Sequence, residues 1–366
     1  MFVGDDADST GCPAWLEDGG ELLSKPHSLK LEMENTKLKP TVLMIATWLT
    51  VCASGYSESG LELKTTPEGV EVSENGTRVL FYQRATRSQG GNYPRANYVH
   101  PLYDLDGQVL TEDFPDDHPH QRGIFWAWHQ LRVGERTIGD GWGLQDLAWK
   151  VHLLDPVPNE DGSVTLELAV DWVSPRWQSG KLPVVTEETA IRIFPREETR
   201  RRIDFDIKLR AATPETFLGG AEDEKGYGGF SARIRLPEDL RFSDQNGEVT
   251  PETNAVRPSP WMTMTGTFGE STPSGLTILC HPETPGYPQP WILRSARSMQ
   301  NPVWPGRNAE RLPVDTPVRL RYRLIVHSAA VSVDEVARWH REWIAETTGA
   351  SISFLDGASR TQGLSR

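Results

Sequence analysis

Ionisable and aromatic side chains concentrate in three stretches of this sequence. The first, YVHPLYDLDGQVLTEDFPDDHPHQRGIFWAWHQ, carries His100, Asp116, Asp117, His118, His120, Arg122 and His129. Histidine moves protons near neutral pH and a guanidinium fixes a carboxylate, so this set suits acid/base work on a substrate bearing an acid or hydroxyl groups. A strand that is regular from about Arg122 places Arg122, Ile124, Trp126 and Trp128 on one face. Carried back through Pro119, that face gains His118 and His120. Two indole plates beside such groups fit the flat C–H face of a sugar ring; burial of Trp126 or Trp128 in a core is the plainer alternative. Two histidines two residues apart also permit a divalent metal, with Asp117 and His100 completing the sphere, but that spacing alone is a weak signal and no cofactor is expected.

The second stretch, GGAEDEKGYGGFSAR, holds Glu222, Asp223, Glu224, Lys225, Tyr227 and Arg233. No helix pattern and no Lys-Ser/Thr pair follow it, which excludes a phosphate loop. Its glycines allow close backbone approach to a ligand, and Lys225 and Tyr227 are candidate proton carriers; an acidic solvated loop is the alternative. The third, CHPETPGYPQPWILRSARSMQNPVWPG, offers His281, Arg294, Asn301 and Trp304 in a long loop rich in Pro and aromatics. A loop of that length and composition reads as a binding loop.

The elements that must position these residues are strands. From about Ser57 short segments of period-two alternation are separated by Gly, Pro, Asn and Asp, and 32 Gly with 27 Pro fit a turn-rich architecture. LELKTTPEGVEVSENGTRVLFYQ predicts three strands, with turns at Pro67-Glu68-Gly69 and at the strong hairpin cue Asn75-Gly76. GIFWAWHQLRV, SVTLELAVDWV, RRIDFDIKLRA and VRLRYRLIVHS continue the pattern. One helix is expected from Ser332 to Ala345, with Ser332 as cap and Val336, Trp339, Trp343 and Ile344 as its apolar stripe. Strands without intervening helices imply sheet-on-sheet packing, and no fixed repeat suggests a propeller. Residues 54–350 read as one domain, followed by a frayed tail at 351–366.

The apolar run TVLMIATWLTVCASG, preceded by Lys37 and Lys39 and ending with Val51 and Ala53 at the spacing of a cleavage site, predicts a signal peptide. Met33 is then the expected start, residues 1–53 an extension plus leader, and the destination periplasmic or secreted; a buried N-terminal helix is the alternative. Cys12 and Cys52 leave with the leader, so Cys280 has no partner for an intramolecular disulfide or a Cys-based zinc site. No membrane span is expected in the mature chain. A net charge of −13 without a basic run disfavours nucleic acid as a partner.

The motifs DHPHQRG at Asp117 to Gly123, KGYGGFSAR at Lys225 to Arg233, the HP…PQPWILR…NPVWPG segment and the closing LRYRLIVH resemble the PmoA-like family, labelled "methane oxygenase PmoA" in automated assignments. The resemblance covers most of residues 60–345. That family is otherwise a domain of unknown function from secreted bacterial proteins, frequent in planctomycetes and Bacteroidetes. It implies a secreted β-sandwich encoded near carbohydrate-degrading enzymes, and activity as an oligosaccharide dehydratase or lyase. The matched positions are Asp117, His118, His120, Arg122, Lys225, Tyr227, His281 and Arg294. Many relatives carry His where this chain has Gln121 and Asp where it has Cys280, so a metal site built there is impaired here.

Together these readings give an all-β fold, a large antiparallel sandwich of the galactose-mutarotase kind with one C-terminal helix. The expected function is acid/base chemistry on oligosaccharide or polysaccharide fragments, by dehydration, β-elimination or hydrolysis, with uronic-acid substrates suited to Arg122 or Arg294. His118, His120, Tyr227 and Lys225 are the expected catalytic groups. His100, Asp117, Arg122, Trp126, Trp128, His281 and Arg294 are the expected binding groups. The alternatives are a non-catalytic carbohydrate-binding protein and, more remotely, a metal-dependent oxidase.

Overall fold

A computed structural model describes residues 60–153, 155–269 and 273–360, with side chains as far as 348. The expected leader lies outside the described residues. The expected hairpins form as read: Leu61–Thr65, Gly69–Glu74 and Thr77–Gln83 pair in antiparallel order, and Asn75 and Gly76 take the positive φ that a tight hairpin turn demands. They continue through Tyr98–Leu102, Ile124–Ala127 and Gly229–Ala232 into a six-stranded sheet. A ten-stranded sheet is built around Val164–Val173, Pro183–Ile193, Arg200–Ala211, Val318–Ser328 and Ser274–Cys280. In Arg200–Ala211, buried and half-buried positions alternate without a break, the signature of a strand with one face on a core.

The two sheets pack face to face, giving the antiparallel β-sandwich expected. Trp126 from the smaller sheet meets Phe205 of the larger at 6.1 Å, and Phe230 stacks on Tyr322 at 4.4 Å. A carboxylate with its polar partners sits in this interior. Glu187 on the large sheet accepts hydrogen bonds from Asn97 (2.9 Å), Trp172 (2.8 Å) and Thr189 (2.7 Å). Burial raises its carboxyl above the usual range, while the donors offset part of that cost.

The helix runs Val333–Arg360, well beyond the expected end, and Ser332 caps it through the Glu335 amide at 3.2 Å. Val336, Trp339 and Trp343 pack on Trp261, Leu279 and Ile325, covering the outer face of the large sheet. His281 and His327 are caught beneath it, against Trp343 and Trp339, and the helix's own His340 packs on Trp261.

One departure from the expected strands decides where the site lies. GIFWAWHQLRV is two strands, Ile124–Ala127 in the six-stranded sheet and Gln130–Val133 in a separate four-stranded sheet with Arg136–Gly139, Thr216–Gly219 and Glu310–Arg311. The chain changes sheets at Trp128 and His129. Trp128 is buried against Trp172 and Trp304, and its indole N–H donates to the Trp304 carbonyl at 2.8 Å. A Cβ on Gly228 would stand 3.2 Å from the same indole, so the neighbouring loop packs on it through bare backbone. Asn301 closes the junction by accepting from the Gly228 amide and donating to the Gly228 and Phe230 carbonyls.

Two outcomes follow from this packing. Burial holds His100, His120, His281 and His327 at about 4, against 6.5 for a free histidine. An unfolded chain therefore binds protons that the folded chain refuses, and the stability these groups contribute is complete above about pH 6.5 and lost as pH falls toward about 4. The melting temperature should drop across that window; a flat profile contradicts the assignment. Trp128→Phe keeps the ring but leaves the buried Trp304 carbonyl unpaired, and should lower unfolding stability in urea by about 1–3 kcal/mol.

Candidate functional site

Alternation gives a strand two faces. Ile124, Trp126 and Trp128 face the inter-sheet core, whereas Phe125 and Ala127 point outward into a second apolar cluster with Trp142, Ile292 and Met299. His129 continues that outer row. Above it lies a cleft of about 270 Å³ lined by His118, His120, His129, Trp142, Lys225, Tyr227, Arg294 and Arg297, among others. All three polar stretches of the sequence meet here.

Each wall is held from behind. Gly123 turns the first with φ 60°, at a place where a Cβ would fall 2.1 Å from the Val99 carbonyl, so the chain before the strand swings away from it. His118 and His120 consequently sit on a turn rather than on the Trp126 face. Arg233, itself buried, clamps that turn through Glu112 (2.7 Å), Asp117 (2.7 Å) and Gln121 (3.3 Å). Gln121 also bonds Ser298 at 3.0 Å, tying the first wall to the third. The second wall ends at the Gly228–Asn301 junction. In the third, the Gln300 side chain brackets Arg294 by accepting from its amide (2.8 Å) and donating to its carbonyl (2.7 Å).

Electrostatically the cleft opposes the chain around it. Among its described lining residues there is no Asp or Glu. Arg294 donates to the carbonyls of Glu252, Leu293 and Thr253, and has no carboxylate partner among the described residues. Behind the cleft, Arg95 is fully buried between Phe125 and Trp149, and burial with the nearby Arg122 lowers it to about 9. Burial, reinforced by Arg95, pushes His120 down to about 4, leaving it neutral at neutral pH. Burial opposes ionisation of Asp117, but hydrogen bonds from His118 and Arg233 outweigh it and hold the carboxyl at about 2. An ionised Asp117 makes His118 Nδ1 the donor at 3.0 Å, so the neutral ring presents Nε2 as acceptor. Burial raises Tyr227 and keeps its phenol protonated. A neutral acceptor at His120, a proton donor at Tyr227 and the cationic side chains of Lys225, Arg294 and Arg297 thus share one cleft.

Several expected positions lie elsewhere. Trp126 and Trp128 are core, not sugar plates, because the face they occupy is covered by the large sheet. Arg122 is buried and spends its donors on Asp113, Tyr98 and the carbonyls of Arg87 and Tyr93, over the Phe114 ring. His100 bonds Thr111 at 3.0 Å outside the cleft lining. His281 bonds Thr347 beneath the helix, and Cys280 beside it is buried. Asp117 stands behind His118 rather than in the cleft. Lys225 lines it, but as a partly exposed ammonium 3.5 Å from Asp223.

Trp142 and Arg297 are wall residues that the sequence reading does not select, and His129, noted there in the first stretch, is given no role. His129 bonds Asp140 at 3.0 Å, stacks on Trp142 at 5.6 Å and meets Tyr227 edge-on at 5.2 Å. Its position two after Ala127 was the available signal. Among the described residues no group of three or more His, Cys, Asp or Glu is gathered to hold a metal; His118 and His120 stand edge to face, centroids 5.6 Å apart. No helix among them is long and apolar enough to cross a membrane.

Among curated proteins, none matches the sequence. Similar solved structures include a candidate mutarotase (YeaD) from Salmonella typhimurium, 9% identical with TM-score 0.33, over 74% of this chain and 90% of that one. A heparinase III gene product is likewise 9% identical with TM-score 0.33, over 76% of this chain and 36% of its own. From the second strand to the C-terminal helix, residues 69–341 match the DUF6807 family model, and the chain belongs to this family of unknown function.

Proposed function

We propose that the protein is an exported carbohydrate-active enzyme that eliminates across a linkage of an acidic, uronic-acid-bearing oligosaccharide. The observation that carries this reading is a cleft with three cationic side chains and no carboxylate in its described lining, within a chain of net charge −13. Such a site favours an anionic ligand. Export rests on the apolar run after Lys37 and Lys39.

The chemistry follows from the protonation states. Among the described residues no paired carboxylates, the usual equipment of glycoside hydrolysis, line the cleft, which turns the choice toward elimination. Arg294, with Lys225 and Arg297 nearby, neutralises the sugar carboxylate and so acidifies the C–H bond beside it. Neutral His120, or His118 through its Nε2, takes that proton. The electron pair forms the new C=C bond as the neighbouring C–O bond breaks, and Tyr227 gives its proton to the departing oxygen. The histidinium then gives up its proton, through solvent, to the Tyr227 phenolate, so both groups are restored and total substrate mass is conserved.

Incubation with uronic-acid-containing oligosaccharides should yield fragments of unchanged total mass carrying an ultraviolet-absorbing conjugated double bond. A gain of water identifies hydrolysis, and tryptophan quenching with no product identifies a binding protein; either outcome overturns the elimination reading. Tyr227→Phe should cut turnover by about 100-fold or more with little change in melting temperature. With His120 as the base, the acid limb of the turnover profile should fall near its value of about 4. The His120→Ala variant should lose that limb together with most activity.

A further inference from the structure

The cleft does not end at His129. A second, larger cleft of about 500 Å³ lies beyond it, and the side chains of His129 and Tyr227 line both. These two rings form a ridge between the cavities. The ridge is stiff, since Asp140 holds the His129 ring, and Trp142 packs on both His129 and Tyr227, at 5.6 Å and 4.9 Å.

Charge reverses across the ridge. On the near side stand Lys225, Arg294 and Arg297; on the far side stand Glu135, Asp140, Glu222 and Asp223, with Arg132. Carboxylates accept hydrogen bonds from sugar hydroxyls but repel a second carboxylate, so the far cavity welcomes a polyol ring and penalises an acidic one. The same acid group that the first cleft favours is disfavoured on the other side of the ridge.

We propose that the substrate crosses this ridge, with an acidic sugar residue in the cationic cleft joined to an uncharged, hydroxyl-rich residue in the far cleft. The linkage that reacts lies over Tyr227 and His129. The proposal rests on the anion reading of the first cleft and adds a sequence preference: glycans in which uronic acid neighbours neutral sugar are accepted, and continuous polyuronates are refused. Tyr227 lines both cavities, which places its phenol where a leaving oxygen between the two residues has to be protonated.

The test is calorimetric binding of three probes to the full chain at neutral pH: a free hexuronate, a disaccharide of hexuronate and neutral hexose, and a dihexuronate. The mixed disaccharide should bind about tenfold tighter than the monosaccharide, and the dihexuronate no tighter than the monosaccharide. The double variant Glu135→Gln/Glu222→Gln changes two exposed side chains that form no ion pair among the described residues. It should strengthen dihexuronate binding about tenfold and leave the free hexuronate unchanged. Dihexuronate binding as tight as that of the mixed disaccharide overturns the two-cleft proposal, as does a variant that shifts all three probes alike. Failure of the free hexuronate and both disaccharides to bind overturns the anion reading of the first cleft itself, a separate result.

Discussion

The indole of Trp128 must be buried and its N–H must find an acceptor, and the cleft exists because of how that demand is met. The ring goes into the core against Trp172, and the N–H goes to the Trp304 carbonyl. Those two contacts fix the point at which the chain leaves one sheet for another. They also draw in the backbone of Gly228 and Gly229, where a side chain has no room to spare. The residues beside Trp128 then have no choice of side: Ala127 and His129 face outward. A residue that looked like a ligand plate is therefore the fastener for all three walls.

The electrostatic design is a separation of signs. Acidic residues outnumber basic ones in the chain, yet among the described residues Arg95 and Arg294 have no carboxylate partner, and His120 near them is neutral. Arg122 and Arg233 show the contrasting use of the same side chain, each saturated by carboxylates and carbonyls and serving as rigid support. Burial sets the difference in protonation. It strips the charge from His120 and withholds ionisation from Tyr227, so acceptor and donor coexist at one pH without a partner base to tune either.

Strands, turns and the helix cap were legible because each is written in neighbouring residues: period-two alternation, Asn75-Gly76, Ser332 before its stripe. The face of Ile124–Ala127 was not legible, since all four of its residues are buried and the alternation that should label a core face is erased. The change of sheet at Trp128 leaves no local mark either, because both halves read as good strand. Arg122 and His281 looked functional by type, and only partners brought up by the fold, the Arg87 and Tyr93 carbonyls and Thr347, reveal that their polarity is already spent. Lys225, Tyr227 and Arg294 were selected from two separate stretches. Their convergence with His118 and His120 is a fact of tertiary structure that spacing cannot express.

The hydrogen bonds between Gln121 and Ser298 join residues 177 apart in the chain. A site stitched over that distance is all or nothing with respect to chain length. A polypeptide ending before Ile292 could pair most of the strands of both sheets and still possess neither Arg294 nor Arg297, no anchor carbonyl for Trp128 and no floor of Ile292 and Met299. The cleft cannot be inherited in part: gene fragments, internal deletions and domain exchanges that cut anywhere between the histidine turn and the Trp304 segment carry away the site whole.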